Sequence, residues 1–230
     1  MKYVSPPLVS VTITGADDAV SPSQLVTLSN RFPFVEWGVL FSEKRTGTPR
    51  YPSIGWIEAV SISGVSLSAH LCGFVAKEAG EGRIRAPLVS RFGRIQINGY
   101  GPSMLSGICR LAVSLRAEFV LQCKSPEGLQ RTAHDASVLA RGSVLFDPSG
   151  GEGLAPFAWP AAPSGCRIGF TGGIGPGTVE TTVAEIVVAN PLLGPFWIDM
   201  ESGVRTDNRF DLGLVTEVLG LVERINARAA

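Results

Sequence analysis

The residues with chemical potential in this chain are a carboxylate that ends an apolar run, two glycine-containing pairs placed just past two other runs, and a few isolated charges. Asp147 closes the run 143–147, shares its parity with Ser143 and Leu145, and is followed by Pro148, Ser149 and Gly150. A carboxyl group in largely apolar surroundings has a raised pKa and can act as an acid near neutrality. The competing use of Asp147 is to cap the turn that Pro148, Ser149 and Gly150 make. Gly172 and Gly173 follow the run 167–171, and Ser202 and Gly203 follow the run 195–199. A glycine lets the backbone approach an anion closely. Backbone N–H groups at a short helical turn, expected at 204–207, attract a phosphate. Tight strand-to-helix turns are the competing use of both pairs. Lys124 ends another run and can form a Schiff base when desolvated, or simply cap the next helix or meet solvent. Glu36 opens a long second run and can point inward, and Asp199 shares a parity with Glu201.

Elements that could position these residues alternate along the chain. Strands are expected at 9–14, 34–42, 68–75, 93–98, 118–123, 143–147, 167–171 and 195–199. Helices are expected at 21–30, 52–61, 102–115, 126–140, 176–189 and 210–227, with Leu214, Val218, Leu221, Val222 and Ile225 at helical spacing in the last. Pro126 and Pro176 sit where helices tolerate proline, at the first turn. Strand–helix alternation implies right-handed crossovers and a parallel sheet. Eight such strands in 230 residues point to a single-domain (β/α)8 barrel over 1–230, with an open doubly wound sheet as the alternative.

The strands carry a further signal. Ser10, Thr12 and Thr14 alternate with Val9, Val11 and Ile13, and Arg94, Gln96 and Asn98 alternate with Ile95 and Ile97. Successive side chains point to opposite faces, so one face is polar although strands buried on both faces usually read as continuous apolar runs. A barrel with its site at the C-terminal mouth accounts for this. A polar interior satisfied by cross-strand hydrogen bonds and water accounts for it too.

Composition narrows the partners. Lys plus Arg and Asp plus Glu are 20 each, so no basic excess exists to neutralise a phosphate backbone, and nucleic acid is not expected. With 45% apolar residues the chain is not a disordered one. No apolar run reaches membrane-spanning length, and 186–198 is broken by Asn190, Pro191 and Pro195. Residues 1–7 lack a signal-peptide core, so a cytoplasmic protein with no membrane partner is expected. Cys72, Cys109, Cys123 and Cys166 form no C-x-x-C pair; reduced, mostly buried thiols and no metal site are expected. A homodimer stays open.

Five segments in order resemble phosphoribosylanthranilate isomerases, barrels of tryptophan biosynthesis. The stretch 144–153, Val-Leu-Phe-Asp-Pro-Ser-Gly-Gly-Glu-Gly, with Phe157 and Trp159 after it, is similar to the family's sixth strand and its glycine stretch. Residues 168–174 are similar to its seventh-strand Gly-Gly segment, and 198–204 to its Asp-x-x-Ser-Gly-Val segment. Residues 38–41 with Pro49, Arg50 and Tyr51 resemble its second strand and Ser-Pro-Arg-Tyr motif, with Thr48 for Ser. Residues 95–99 resemble its Gln-Leu-His-Gly strand, with Asn98 for His. The resemblance spans about 9–225. It implies a phosphorylated sugar ligand, no cofactor, and an Amadori rearrangement with Asp147 as general acid. It implies phosphate held by Gly172, Gly173, Ser202 and Gly203, and substrate contacts from Arg50, Gln96 and Asn98. A guanidinium fork suits the substrate's carboxylate; a solvated loop arginine beside Lys44 and Arg45 is the competing reading of Arg50.

The resemblance breaks at the base. The family's Lys-Ile-Cys-Gly motif is matched by Thr12-Ile13-Thr14-Gly15, so Thr14 stands in the catalytic Cys position. A thiol loses its proton usefully near neutrality, and a threonine hydroxyl does not. Arg205 also stands where the family carries Glu. Three functions therefore remain: a phosphosugar isomerase with lost or altered Amadori chemistry, a non-catalytic phospho-ligand binder, and another phosphosugar enzyme such as a lyase or epimerase. Glu36, Lys124 and Asp199 are the other candidate mouth residues. His70 and His134 are read as structural.

Overall fold

The computed structural model describes residues 8–229; the 1–7 segment read above for a signal sequence lies outside them. Eight parallel strands close into a barrel in sequence order: β1 (Val9–Thr14), β2 (Val35–Phe41), β3 (Leu67–Leu71), β4 (Arg94–Ile97), β5 (Glu118–Cys123), β6 (Gly142–Phe146), β7 (Ile168–Thr171) and β8 (Phe196–Met200). Closure comes from β1 on β8, with Val11 opposite Ile198 and Thr12 opposite Asp199, which excludes the open-sheet alternative. Helices α1 (Pro22–Arg31), α2 (Ile54–Ser61), α3 (Phe74–Gly80), α4 (Leu105–Ser114), α5 (Pro126–Ser137), α6 (Val179–Ala189) and α7 (Leu212–Ala229) surround it. No described helix is long and apolar enough to cross a membrane.

Local sequence explains the helix starts. Ser53 caps α2 by accepting from the Trp56 amide, and Ser125 caps α5 by accepting from Gly128, with Pro126 at the first position. The barrel is tied shut below by α7, where Asn226 exchanges 2.8 Å hydrogen bonds with the amide and carbonyl of Val9.

Three expectations change. The third strand stops at Leu71, because Gly73 takes φ +57° and turns the chain into α3, which the apolar run 68–75 had hidden. The turn expected at 204–207 is a 3-10 turn over Ser202–Val204, then a hairpin of β9 (Arg205–Thr206) and β10 (Arg209–Phe210). Asp207 and Asn208 both have positive φ there, as a tight hairpin demands. Helix α6 begins at Val179 rather than at Pro176. Among the described residues, 147–167 joins β6 to β7 without a helix.

The polar parity of the strands faces inward. Thr12, Thr14, Ser68, His70, Arg94, Gln96, Gln122, Ser143, Asp147 and Asp199 are all buried. The main apolar core lies between the outer strand faces and the helices, while Val120, Leu145 and Trp197 form a separate small cluster. Trp197 fills the barrel beside Gly169, where a Cβ would lie 2.0 Å from the indole. The guanidinium of Arg94 stacks on Trp197 at 4.3 Å and that of Arg167 at 5.0 Å. Of the four cysteines, only Cys123 is fully buried; Cys72, Cys109 and Cys166 are half-buried, short of the burial expected of them.

Candidate functional site

A cavity of about 1080 Å³ opens at the C-terminal ends of the strands. Its walls include Thr14, Arg50, His70, Gln96, Asn98, Gln122, Lys124, Asp147, Asp199 and the glycine loops after β7 and β8. The structure thus gathers nearly every residue singled out from sequence. Glu36 is the exception. It points inward but lies below the cavity, where its carboxylate takes a 2.8 Å ion pair from Arg94 and a 3.3 Å hydrogen bond from Thr12. Among the described residues, no group of three or more His, Cys, Asp and Glu side chains is placed to hold a metal ion.

Two carboxyl groups sit in this cavity in different company. Asp147 accepts 2.6 Å from the Gln122 amide and 3.0 Å from the Ser149 hydroxyl. Gln122 is itself oriented by the Gly99 amide, which donates to its carbonyl oxygen. Asp199 accepts one hydrogen bond, 2.9 Å from the Thr14 hydroxyl, on Oδ1. Burial, reinforced by Glu201 and Asp147 and opposed by the Thr14 bond and Arg94, pushes the Asp199 carboxyl up to about 8. Asp199 is therefore largely a neutral acid at pH 7. Thr14, in the position where a base was expected, serves as a donor that orients this acid.

His70, set aside on sequence grounds, stands next to them. Its Nδ1 lies 3.3 Å from the Gln96 amide nitrogen and its Nε2 lies 3.9 Å from Asp199 Oδ2. Burial, with Arg94 adding to it, lowers its pKa to about 3, so the ring is neutral. Gly38 makes the arrangement sterically feasible: a Cβ there would fall 2.2 Å from Thr14 Oγ1 and 2.9 Å from His70 Cε1. A glycine inside an apolar strand is a signal from which such a close approach can be read, and here it was not. Gln96 also donates to Asn98 at 2.9 Å, and Asn98 reaches Cys72 Sγ at 3.2 Å. Burial pushes the Cys72 thiol up, away from reactivity.

At the rim, Arg50 is already engaged. It donates to Glu201 at 2.6 Å through Nη1 and to Asn208 at 3.1 and 2.9 Å through Nε and Nη2. Its own amide donates to Asp17 at 2.8 Å, and its φ is +76°. Arg205, the departure noted in the loop motif, ties the hairpin to the loop after β1 through the Gly15 carbonyl at 2.7 Å and Asp17 at 3.5 Å. Lys124 has no ion-pair partner among the described residues and rests against Gly150, whose Cβ would lie 2.9 Å from its Nζ.

The glycine loops meet backbone to backbone. A Cβ on Gly203 would sit 2.0 Å from the Ile174 carbonyl, and one on Gly175 2.9 Å from the Gly203 carbonyl. Gly172 and Gly173 take positive φ under Leu154 and Ala155 of the β6–β7 connection. Thr178 secures the first loop, donating to the Gly173 carbonyl at 2.7 Å and accepting from the Gly175 amide at 3.0 Å. Among the described residues, the amides of Gly173, Ile174 and Gly203 have no acceptor.

No protein-family model matches this chain, and no curated protein matches it. Solved structures do share its architecture. N-(5'-phosphoribosyl)anthranilate isomerase from Pyrococcus furiosus superposes with a TM-score of 0.61 at 15% identity, covering 94% of this chain and 99% of that one. A truncated 3-deoxy-D-arabino-heptulosonate 7-phosphate synthase from Thermotoga maritima gives 0.56 at 10% identity, covering 99% and 90%. The 3-hexulose-6-phosphate synthase from Salmonella typhimurium gives 0.52 at 10% identity, covering 94% and 100%. The chain is a TIM barrel of one domain, as its strand pattern implied.

Proposed function

We propose that the mouth of this barrel binds a phosphorylated sugar, with the phosphate against the loops after β7 and β8 and the sugar extending toward Asp147 and Asp199. The observation that carries this reading is the pair of interlocked glycine loops, whose Gly173, Ile174 and Gly203 amides lack acceptors on the cavity wall. Loops after strands seven and eight are where TIM barrels commonly hold phosphate. The three similar barrels are named for phosphorylated substrates or products, which supports the same ligand class. Gln96, Asn98 and Gln122 supply a neutral amide wall suited to hydroxyl groups.

Phosphoribosylanthranilate isomerisation itself is not the favoured reaction. Thr14 spends its proton on Asp199, and the guanidinium meant for the anthranilate carboxylate is held by Glu201 and Asn208. Altered chemistry on a related phosphosugar fits better, with the acid role expected of Asp147 passing to Asp199, which is able to give a proton, and Asp147 placed to take one. Calorimetry with ribose 5-phosphate, ribose and inorganic phosphate tests the binding reading. Ribose 5-phosphate and phosphate should bind at millimolar concentration or below, and ribose should not. Crystals soaked in ribose 5-phosphate should show the anion on the Gly173 and Gly203 amides; an unoccupied mouth and no heat would end the proposal.

A further inference from the structure

We propose that His70 and Asp199 form an electrophilic clamp, two neutral hydrogen-bond donors that close on a single oxygen of the bound phosphosugar, the one that carries negative charge as a carbonyl becomes an enolate. The clamp rests on the phosphosugar reading above and names the part of the ligand that reading leaves open.

The geometry carries it. Among the described residues, His70 Nε2 is one of three buried side-chain nitrogen and oxygen atoms without a hydrogen-bond partner, although the residue lines the cavity. Gln96 occupies Nδ1 with an amide N–H, which makes Nδ1 the acceptor and puts the ring proton on Nε2. A buried N–H without an acceptor is costly, and a ligand oxygen is what it lacks. Asp199 offers the second donor. The Thr14 hydroxyl takes Oδ1 as its acceptor, so the acid proton belongs on Oδ2, the oxygen nearest His70. The two atoms stand 3.9 Å apart, too far to bond each other. That gap admits one oxygen at about 2.8 Å from both.

The surroundings suit the task. Burial first, and then acidic Glu201 and Asp147, oppose ionisation of Asp199 and outweigh the opposite pull of the Thr14 bond and Arg94, which keeps its proton available. Arg94, one layer below on β4, opposes protonation of His70, so the ring stays a neutral donor. The same cation favours negative charge on an oxygen held above it. Preorganised donors aimed at developing charge in a water-poor site are an effective way to stabilise a transition state. Neither donor needs to give up its proton for the clamp to act.

The chain contains two histidines, and His134 is exposed on α5, so His134→Gln leaves His70 as the single imidazole. Nitrogen-15 histidine-labelled protein of this kind is titrated with three probes. These are inorganic phosphate, erythritol 4-phosphate, which has no carbonyl, and 4-phosphoerythronohydroxamate, a planar oxyanion mimic. The expected spectrum is that of an Nε2–H neutral imidazole whose proton moves downfield with the hydroxamate and stays in place with phosphate. The hydroxamate should bind about tenfold or more tighter than erythritol 4-phosphate, and His70→Phe should erase that preference while inorganic phosphate binds as before. Equal affinities for the two esters, an Nδ1–H tautomer, or an Nε2–H signal indifferent to the hydroxamate would overturn the clamp while leaving the phosphate site intact. Failure of all three probes to bind would instead overturn the phosphosugar reading, and the clamp with it.

Discussion

The two ends of the barrel interior bury the same residue types with opposite outcomes. At the N-terminal end, Arg94 bridges Glu36 at 2.8 Å and Glu118 at 3.4 Å, and Arg167 meets Glu118 at 2.8 Å. Ser143 adds a 2.6 Å hydrogen bond to Glu118, and Trp197 packs under both guanidinium groups. Every carboxylate there has a cation. At the C-terminal end, Asp199, Asp147 and His70 share a cavity wall, and none of them forms an ion pair with an arginine or lysine among the described residues. One end is a plug whose charges cancel. The other holds its carboxyl groups by neutral donors alone and leaves His70 Nε2 without a partner among the described residues. Unpaired polar groups in a cleft mark a working site far better than buried charge alone.

Breaking the plug should have the largest effect. Arg94→Met keeps an apolar stem over Trp197 and strands Glu36, whose side chain is 13% exposed and whose pKa burial already raises. Removing one partner of a buried pair costs about 3–5 kcal/mol, so the urea midpoint should fall sharply. Adding Glu36→Gln should restore a large part of it. If Arg94→Met alone were as stable as the parent protein, the plug would not be a charge-balanced structural unit.

The mouth should reveal itself through pH rather than through raw stability. Asp199 has a folded pKa of about 8 against an ordinary 3.8, so its contribution is full at low pH and is lost as pH rises toward 8. His70 has a folded pKa of about 3 against 6.5, so its contribution is full above 6.5 and is lost as pH falls toward 3. Between 3.8 and 6.5 the two slopes oppose and cancel. Between 6.5 and 8, of this pair only Asp199 still differs in protonation between the folded and unfolded chain, and its contribution to unfolding free energy should drop by about 2 kcal/mol across that window. The groups facing the pair are Thr14, Gln96, Arg94, Glu201 and Asp147, and the difference between parent and variant isolates the pair from other titrations. Asp199→Asn should flatten the curve above 6.5 and uncover a rise with pH below it. A parent protein whose stability is level from 6.5 to 8 would mean that Asp199 is already ionised.

The contrast between plug and mouth was only partly legible in the sequence. Apolar runs marked all eight strands because strands packed under helices must be apolar on their outer faces. The alternation of Thr12, Thr14, Gln96 and Gln122 with apolar residues marked the inward face correctly. Depth along the barrel was not legible: Glu36 and Asp199 share that face and both lie opposite Thr12, and only the side-chain contacts, Arg94 on Glu36 and Thr14 on Asp199, separate plug from mouth. His70 was missed because its meaning depends on Asp199 and Thr14, which are 185 positions apart in the chain. Gly38 did carry a hint, since an unexplained glycine in a buried strand often marks a close approach of other groups. Arg50 looked free because Glu201 and Asn208 lie far along the chain and reach it only through barrel closure.

Arg50 supplies the smallest effect and tests where the mouth ends. Its side chain is 29% exposed and its partner Glu201 24%, so this rim pair resembles the plug in pairing but not in burial. Half-exposed ion pairs are worth at most about 1 kcal/mol. Its backbone opposes that gain, since φ of +76° costs a residue with a Cβ about 1 kcal/mol relative to glycine. Arg50→Gly loses the pair and relieves the strain, so its stability should match the parent protein closely. Arg50→Ala loses the pair and keeps the strain, so it should fall below Arg50→Gly by about 1 kcal/mol. A strained residue held by Asp17 on its amide and by Glu201 and Asn208 on its side chain is over-determined by its surroundings, as residues kept for a site are. If Arg50→Gly proved far less stable than Arg50→Ala, the guanidinium network would not explain the backbone, and the rim would belong with the plug rather than with the cavity.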